Sequence, residues 1–249
     1  MSIKILLFEH MRYIHYTINM TNLVYLSNSG VYKSEAKVLE TGEINGQNFI
    51  VLNQTIFYVQ GGGQPSDIGK IYNFNGVFTV NKVILNDQNV YHLGRYESGE
   101  IGIEQVVNLE INVEKRILHS RLHSAGHIID LAMQKLYPKM ISGKGYHYPE
   151  GAYVEYSYSE ENTEMATEID SQEIEAETKK IINLNLDISF KIENELHSSG
   201  KPNRIMQIPG FKDCFCGGTH VSKLGQIGRI TIRKITMKKG LARVSYLVD

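Results

Sequence analysis

The stretch "RLHSAGHIIDLAMQKL", residues 121–136, carries the most regular pattern in the chain. Apolar positions recur along it, and along the turn before it, at alternating spacings of four and three residues. This spacing is typical of one buried stripe on an amphipathic helix, so we predict a helix from Glu114 to about Leu136. The members of the stripe are Leu118, Leu122, Ala125, Ile129, Ala132 and Leu136.

Three histidines, His119, His123 and His127, lie on a different arc of this helix. Positions four apart drift by only about 80° over the three residues, so the imidazoles project from one side and can share a target. In a chain with nine histidines, one such pair alone indicates a metal site only weakly. Ser124 stands where a metalloprotease HExxH motif requires its glutamate base, which excludes that class.

The second half of a metal site is found in "DCFCGGTH", residues 213–220, which holds both cysteines of the chain. Two cysteines this close cannot form a disulfide framework and are more often metal ligands or reactive thiols. Cys216 and His220 offer sulfur and imidazole nitrogen, the ligands that zinc prefers. Gly217 and Gly218 let the chain turn tightly and leave backbone N–H groups bare, which suits an anion or a developing oxyanion.

Composition places the chain among globular proteins, with 42% hydrophobic and 21% charged residues. The longest apolar runs fall far short of the roughly 20 residues that cross a bilayer, and no signal-peptide cleavage site follows the first residues. We therefore expect no membrane span and a cytoplasmic protein. A net charge of −1 argues against coating of nucleic acid through bulk positive charge, so any RNA contact must be local.

The pattern divides the chain into an N-terminal extension, residues 1–19, and two domains. Residues 20–113 show short strands with Asn45-Gly46 and Asn75-Gly76, dipeptides that tight hairpins prefer. We predict a small antiparallel β-barrel-like domain, rich in glycine. Its predicted strands are Glu35–Glu40, Asn48–Leu52, Thr55–Val59, Lys70–Phe74, Val77–Leu85 and Val90–Leu93.

Residues 114–249 combine the histidine helix with a second helix and further strands, which makes the overall fold class α+β. The second helix is predicted to begin after Asp170 as N-cap and to reach about Asn185, with Glu175 and Lys179 spaced for an ion pair. The predicted strands are Ala152–Tyr158, Ile188–Ile192, Ile227–Ile235 and Leu241–Val248.

Four motifs, "GGGQPSD", "RLHSAGH", "CGGTHV" and "KKGLARVSY", occur here in an order that resembles the alanyl-tRNA editing proteins of the AlaX type, freestanding relatives of the alanyl-tRNA synthetase editing domain. Members of that family bind zinc and hydrolyse tRNA(Ala) that carries serine, and sometimes glycine. The resemblance implies His123, His127, Cys216 and His220 as zinc ligands. His119 precedes the motif, and we expect it beside the ligands or on the substrate side.

The resemblance also implies ester hydrolysis. Zinc polarises a carbonyl and lowers the pKa of a bound water toward about 7, so the expected catalytic group is zinc-bound water. Four protein ligands close a tetrahedron, which is typical of structural sites. Three possibilities stay open: the zinc takes a fifth ligand, one of the four ligands is loosely bound, or the metal only anchors the site. Cys214 could bind zinc in place of Cys216, but the spacing of the family motif favours Cys216.

Three segments are expected on the substrate side. For the glycines of "GGGQPSD", the resemblance implies a role in selecting the correct tRNA or in closing over the editing site. Without the resemblance, these glycines would simply build a turn. The loop "GKGYHYPEGAYVEY" offers a lysine and a histidine to the terminal phosphates or amino acid of the tRNA, or simply leads into a strand. The residues concerned are Gly61, Gly62, Gly63, Lys144, His147, Gly217 and Gly218.

The leading functional hypothesis is a zinc-dependent hydrolase that acts in trans on Ser-tRNA(Ala), with Gly-tRNA(Ala) as a further substrate and the tRNA acceptor end as its partner. No segment for amino-acid activation is apparent, so we expect editing without charging. One alternative is editing of another mischarged tRNA, such as Ser-tRNA(Thr). Others are a non-catalytic, zinc-stabilised RNA-binding module and a hydrolase of small esters.

Overall fold

The computed structural model of the protein describes residues 21–86, 89–158, 169–196 and 202–249. The predicted extension, residues 1–19, lies outside these ranges. The helices are α1 Val24–Ser27, α2 Val113–Leu136 and α3 Ser171–Asn183, with a 3-10 turn at Leu224–Ile227. The strands are β1 Asn22–Leu23, β2 Lys33–Ile44, β3 Gln47–Leu52, β4 Gln54–Thr55, β5 Gly69–Tyr72, β6 Gly76–Asn86, β7 Asn89–Gly99, β8 Val106–Ile111, β9 Ile141–Tyr146, β10 Tyr153–Ser157, β11 Ser189–Leu196, β12 Pro202–Gln207, β13 Cys214–Phe215, β14 Ile230–Lys238 and β15 Leu241–Val248.

Six strands close into an antiparallel barrel in the order β2-β3-β7-β6-β5-β8, which confirms the predicted barrel and the α+β class. Closure depends on β8, which pairs with β2 on one side and with β5 on the other. Its inward side chains, Val107, Leu109 and Ile111, are at most 3% exposed and fill the barrel interior. This strand was not predicted, although its alternation of exposed and buried positions is regular.

Two local predictions in the barrel are wrong. Residues 56–59 are buried but continue no strand beyond β4, because the Tyr58 N–H donates to the Asp67 carboxylate and the Gln60 N–H donates to the Val83 carbonyl. Gly76 starts β6 without a positive φ, because the Asn73 side chain accepts the N–H groups of the turn. Both predicted hairpins form, because β5 pairs with β6 across residues 73–76 and β2 pairs with β3 across Asn45 and Gly46, which have φ of 50° and 76°.

The rest of the described chain forms two antiparallel sheets, β14-β15-β10-β9 and β11-β12-β13. The predicted stripe of α2 packs into the hydrophobic core of this part. Asp170 caps α3 as predicted, with its side chain accepting the Gln172 N–H. The expected ion pair of Glu175 with Lys179 is absent from the described residues, because Glu175 accepts the Ile232 N–H and ties α3 to β14. No helix in the described ranges is both long and apolar enough to cross a membrane.

A buried ion pair joins the barrel to α2. Arg116 is 1% exposed and donates from Nε and Nη2 to the Asp67 carboxylate. Its guanidinium also donates to the carbonyls of Ser29, at 2.7 Å, and Ile56, at 2.6 Å. Asp67 in turn accepts the Tyr58 N–H. Backbone groups of Ser29, Ile56 and Tyr58 thus bond to the guanidinium or to the carboxylate. These bonds hold the loop at residues 61–67 against α2.

Replacing Asp67 by Asn should lower the free energy of unfolding by about 3 to 5 kcal/mol, because the Arg116 cation would stay buried without its counter-charge. The matched control is Glu110→Gln, which removes the exposed pair of Lys33 and Glu110 and should leave the free energy of unfolding nearly unchanged, because solvent screens that pair. Urea denaturation of both variants measures the difference. Equal losses would show that the buried pair does not hold the two parts together.

Candidate metal centre and its cavity

The four predicted zinc ligands meet in space. His123 and His127 project from α2, and Cys216 and His220 lie in the segment that follows β13; their ligand atoms all lie within 4.8 Å of one another. Cys216 Sγ lies 3.4, 3.3 and 3.1 Å from the Nε2 atoms of His123, His127 and His220. Tetrahedral zinc with ordinary bond lengths separates sulfur and nitrogen by roughly 3.5 Å. The donor set therefore fits a tetrahedral zinc ion.

Both cysteines approach His127, but from opposite sides of its ring. Cys214 Sγ lies 3.7 Å from Nδ1, whereas Cys216 Sγ lies 3.3 Å from Nε2. The Nε2 atom is the one that converges with the other histidines. The geometry therefore favours Cys216 as the sulfur ligand over Cys214, the alternative that the sequence left open.

A glutamine from the barrel orients one of the ligands. Gln64 is fully buried, and its Oε1 accepts the Nδ1–H of His123 at 2.7 Å and the N–H of Thr219 at 3.1 Å. Its Nε2 donates to Thr219 Oγ1 at 2.8 Å. With the proton fixed on Nδ1, His123 Nε2 keeps its lone pair for a metal. The sequence analysis missed this residue, although it lies inside the quoted "GGGQPSD" motif.

Ser124 plays the matching part for His220. Its Oγ lies 3.1 Å from His220 Nδ1 and accepts the Val221 N–H at 3.3 Å. A proton on Nδ1 of His220 leaves Nε2 free toward the cluster. The position that excludes a protease glutamate therefore holds a residue that orients a ligand.

Burial sets the protonation of the cluster. Desolvation lowers the pKa of His127 to about 4 and holds the pKa values of His123 and His220 well below their usual range, so the three imidazoles are neutral at neutral pH. Burial raises the pKa of the Cys216 thiol to about 11, and the Arg204 guanidinium opposes that shift. Metal binding needs the thiolate, which the positive charge of Arg204 favours.

Arg204 also fixes the backbone that carries Cys216. Its Nη1 donates to the carbonyls of Cys216, at 3.2 Å, and Gly218, at 2.7 Å. The guanidinium lies 3.4 Å over the Phe190 ring, a cation–π contact in a buried setting. This arginine lies in β12, which was not predicted as a strand, and sequence spacing gave no sign of its role.

Two glycines are required by close approach. A Cβ on Gly218 would lie 2.1 Å from Cε1 of His123, so a side chain there would displace a ligand. Neither Gly217 nor Gly218 has a positive φ, which corrects the tight-turn explanation of this pair. Gly63 has φ of 73°, and its Cβ would lie 2.1 Å from the Gly145 carbonyl oxygen.

The cluster lines a cavity of about 700 Å³ between the barrel and the α2 part. Of the residues predicted on the substrate side, Gly61, Gly62, His147, Gly217 and Gly218 line it. Gly63 lies behind the wall, where its carbonyl accepts the His147 N–H, and Lys144 is exposed between two lining glycines. His119 is buried outside the cavity lining, and its Nδ1 has no partner among the described residues. The lining residues that the sequence analysis missed include Tyr58, Asp130 and Arg204.

His147 is held as a neutral acceptor in the cavity wall. Its Nδ1 lies 2.6 Å from Tyr246 Oη, and that hydroxyl donates to the Leu122 carbonyl at 2.9 Å. His147 must therefore donate from Nδ1, which leaves the lone pair on Nε2. Burial lowers the pKa of His147 to about 3, so the ring stays neutral, and it stacks on His123 with centroids 4.5 Å apart.

Comparisons with known proteins agree with this geometry. Residues 11–115 match the family described as tRNA synthetases class II (A), and residues 204–245 match the threonyl and alanyl tRNA synthetase second additional domain. An alanine–tRNA ligase of Methanobrevibacter smithii is 30% identical over 91% of the chain. The alanyl-tRNA editing protein AlaX-L of Pyrococcus horikoshii is 27% identical over 91% of the chain. Over most of its length the chain is similar to alanyl-tRNA synthetases and to an alanyl-tRNA editing protein.

The chain spans 27% of the Methanobrevibacter ligase and 58% of AlaX-L. An alanine–tRNA ligase of Leptospira interrogans is also 30% identical, over 74% of the chain and 20% of its own length. The chain thus corresponds to a part of each of these relatives. The second matched domain contains Arg204, Cys216 and His220, and so covers the sulfur half of the metal centre.

Replacing Gln64 by Ala should weaken zinc binding by about 10- to 100-fold, because His123 would lose the partner that fixes its Nδ1 proton. Competition with a coloured chelator measures the affinity. Gln60→Ala is the control, since Gln60 lines the same cavity but contacts no ligand. If both variants bound zinc as tightly as the wild type, the bond to Gln64 would have no part in holding the metal.

Substitution of each cysteine should have a different effect on zinc binding. Cys216→Ala should abolish stoichiometric zinc binding, since it removes the donor that contacts all three Nε2 atoms, whereas Cys214→Ala should retain it. Metal analysis of purified, dialysed protein gives the answer. Loss of zinc from the Cys214 variant alone would reverse the assignment.

Proposed function

We propose that the protein is a zinc-dependent deacylase that hydrolyses mischarged Ser-tRNA(Ala). The observation that carries the proposal is that three of the four ligand residues, His123, His127 and Cys216, form part of the wall of a cavity of about 700 Å³. Because four protein ligands are typical of a structural zinc, catalysis here requires the zinc to accept water or the ester from this cavity as a fifth ligand. The similarity to AlaX-L, named as an alanyl-tRNA editing protein, supports tRNA editing as the reaction class.

The residues present divide the work of such a site. When bound, zinc supplies Lewis-acid polarisation of the ester carbonyl and acidifies water. Gln64 and Ser124 hold the imidazole protons away from the metal position. Gly217 and Gly218 leave the cavity wall beside the ligands free of side chains, so an ester can approach and the oxyanion can meet backbone N–H groups.

His147 is the residue we propose to contact the serine hydroxyl. Its Nε2 lone pair has no partner among the described residues, and its neutral state makes it an acceptor. A site built to accept a hydroxyl hydrogen bond strongly disfavours the analogue that lacks one, because its own polar group would stay unpaired. Correctly charged Ala-tRNA(Ala) would therefore be spared.

The acceptor end of the tRNA is the proposed partner of the cavity. Lys144 lies in β9 between Gly143 and Gly145, both of which line the cavity, so strand alternation turns its exposed side chain to the outer face, where it would meet a tRNA phosphate outside the cavity. Gly61 and Gly62 from the barrel close the opposite wall. Such a substrate places the protein in the cytoplasm, where charged tRNA is found.

Editing of Ser-tRNA(Thr) is the second candidate reaction, because the domain matched at residues 204–245 is described for threonyl as well as alanyl synthetases. The alanyl assignment rests on the relatives, which are named as alanine–tRNA ligases and an alanyl-tRNA editing protein over most of the chain. Deacylation of the two tRNAs, each charged with serine, separates these candidates.

The zinc-loaded wild type should deacylate Ser-tRNA(Ala) and leave Ala-tRNA(Ala) intact. His123→Ala should lose at least about 100-fold in kcat/KM, because removing a ligand removes the metal on which transition-state stabilisation depends. Loss of labelled serine from the tRNA measures the rate, and circular dichroism checks folding.

Chelation of the wild type followed by zinc addition is the matched control, and it should abolish and then restore activity. Intact Ser-tRNA(Ala) after incubation with zinc-loaded wild type would return the metal to a structural role and the protein to an RNA-binding module.

A further inference from the structure

One acidic residue faces the cavity without a part in the proposed chemistry. Asp130 lies on α2 three residues after His127, and three residues turn a helix by about 300° and advance it by about 4.5 Å. Asp130 therefore lies on the same side of the helix as that ligand, just beyond it. It is the sole carboxylate among the described residues that line the cavity.

The carboxylate is anchored at one oxygen. Oδ1 accepts the Tyr156 hydroxyl at 2.7 Å and the Ser142 hydroxyl at 3.3 Å. Tyr156 is 1% exposed, so this anchor is rigid. Oδ2 accepts no hydrogen bond from any residue that the structure describes. One oxygen is thus held by the protein, while the other is available to a donor in the cavity.

We propose that Asp130 binds the α-ammonium group of the aminoacyl ester. This inference rests on the proposed function. The ammonium nitrogen of such an ester is separated from the carbonyl carbon by a single carbon, so an ester held with its carbonyl at the metal centre brings its ammonium into the same part of the cavity. A charge-assisted hydrogen bond from the ammonium to Oδ2 would fill the free acceptor and orient the ester.

The charges around the cavity agree with this assignment. Its one described guanidinium, Arg204, is engaged with the carbonyls of Cys216 and Gly218 and does not neutralise Asp130 through any described contact. Burial raises the pKa of Asp130 to about 6, which leaves the carboxylate ionised at neutral pH. The site therefore selects esters with a free primary amine and disfavours N-blocked acyl groups, such as peptidyl esters.

The test compares Asp130→Asn with the wild type on two substrates. One is Ser-tRNA(Ala), and the other is the same tRNA esterified with the 2-hydroxy analogue of serine, which lacks the ammonium charge. The wild type should prefer the amino ester by about 10- to 100-fold in kcat/KM, the effect of one hydrogen bond to a charged group. Asp130→Asn should lose that preference, with a loss of about 10- to 100-fold on the amino ester and under about 3-fold on the hydroxy ester.

Asp187→Asn, an exposed carboxylate paired with Lys223 on the surface, is the control and should behave as the wild type. An equal loss on both esters would mean that Asp130 acts through packing, and would overturn the inference. So would an active wild type that hydrolyses both esters equally, a result that needs no variant to fold. A wild type inactive on both esters would overturn the proposed function and this inference with it.

Discussion

The contact of the barrel loop with α2 is the constraint on which the site depends. At one end the Asp67 carboxylate and the Arg116 guanidinium are buried together, and three residues earlier Gln64 bonds to His123. The ion pair fixes the position of the loop, and this position brings the Gln64 side-chain amide to His123, whose ring it orients. The cavity lies where the two parts meet: the barrel and its loops supply one wall, and the helix with the Cys216 segment supplies the other. A shift of this loop would alter the ligand geometry and the substrate space together.

Desolvation gives the centre its chemical character. Imidazoles packed this closely stay neutral because burial penalises their charged forms, and this is the state in which they bind a metal. The same burial acts against the Cys216 thiolate, so the nearby Arg204 cation has a purpose beyond holding backbone carbonyls. Asp130 shows the same balance, since desolvation raises its pKa and hydrogen bonds from Tyr156 and Ser142 offset part of that shift. Three neutral imidazoles and one thiolate would leave a bound Zn²⁺ with a single positive charge, so Asp130 is the one anion among the described lining residues that can attract a cationic ester.

Much of the fold follows from local patterns. The stripe of α2, the Asp170 cap of α3, the Asn45-Gly46 hairpin and the strand at Leu241–Val248 were all predicted, because period and turn chemistry act over a few residues. The failures have specific causes. The apolar run at residues 56–59 has the composition of a strand, but its Tyr58 N–H donates to the Asp67 carboxylate instead of to a neighbouring strand. Glu175 has an ion-pair partner at helical spacing, yet its carboxylate bonds to the backbone of β14.

The sequence by itself determined the two halves of the metal site. Spacing of four residues on a helix fixes His123 beside His127, and the short segment between Cys216 and His220 keeps that pair together wherever the chain lies. Tertiary structure alone decided what surrounds them. Gln64 reaches His123 across 59 positions and Thr219 across 155, and Asp130, Arg204 and His147 share one cavity only after three separate elements pack. The physical reason is that periodicity and turn chemistry constrain residues within one element, whereas contacts between elements are fixed by burial and hydrogen-bond satisfaction of the whole fold.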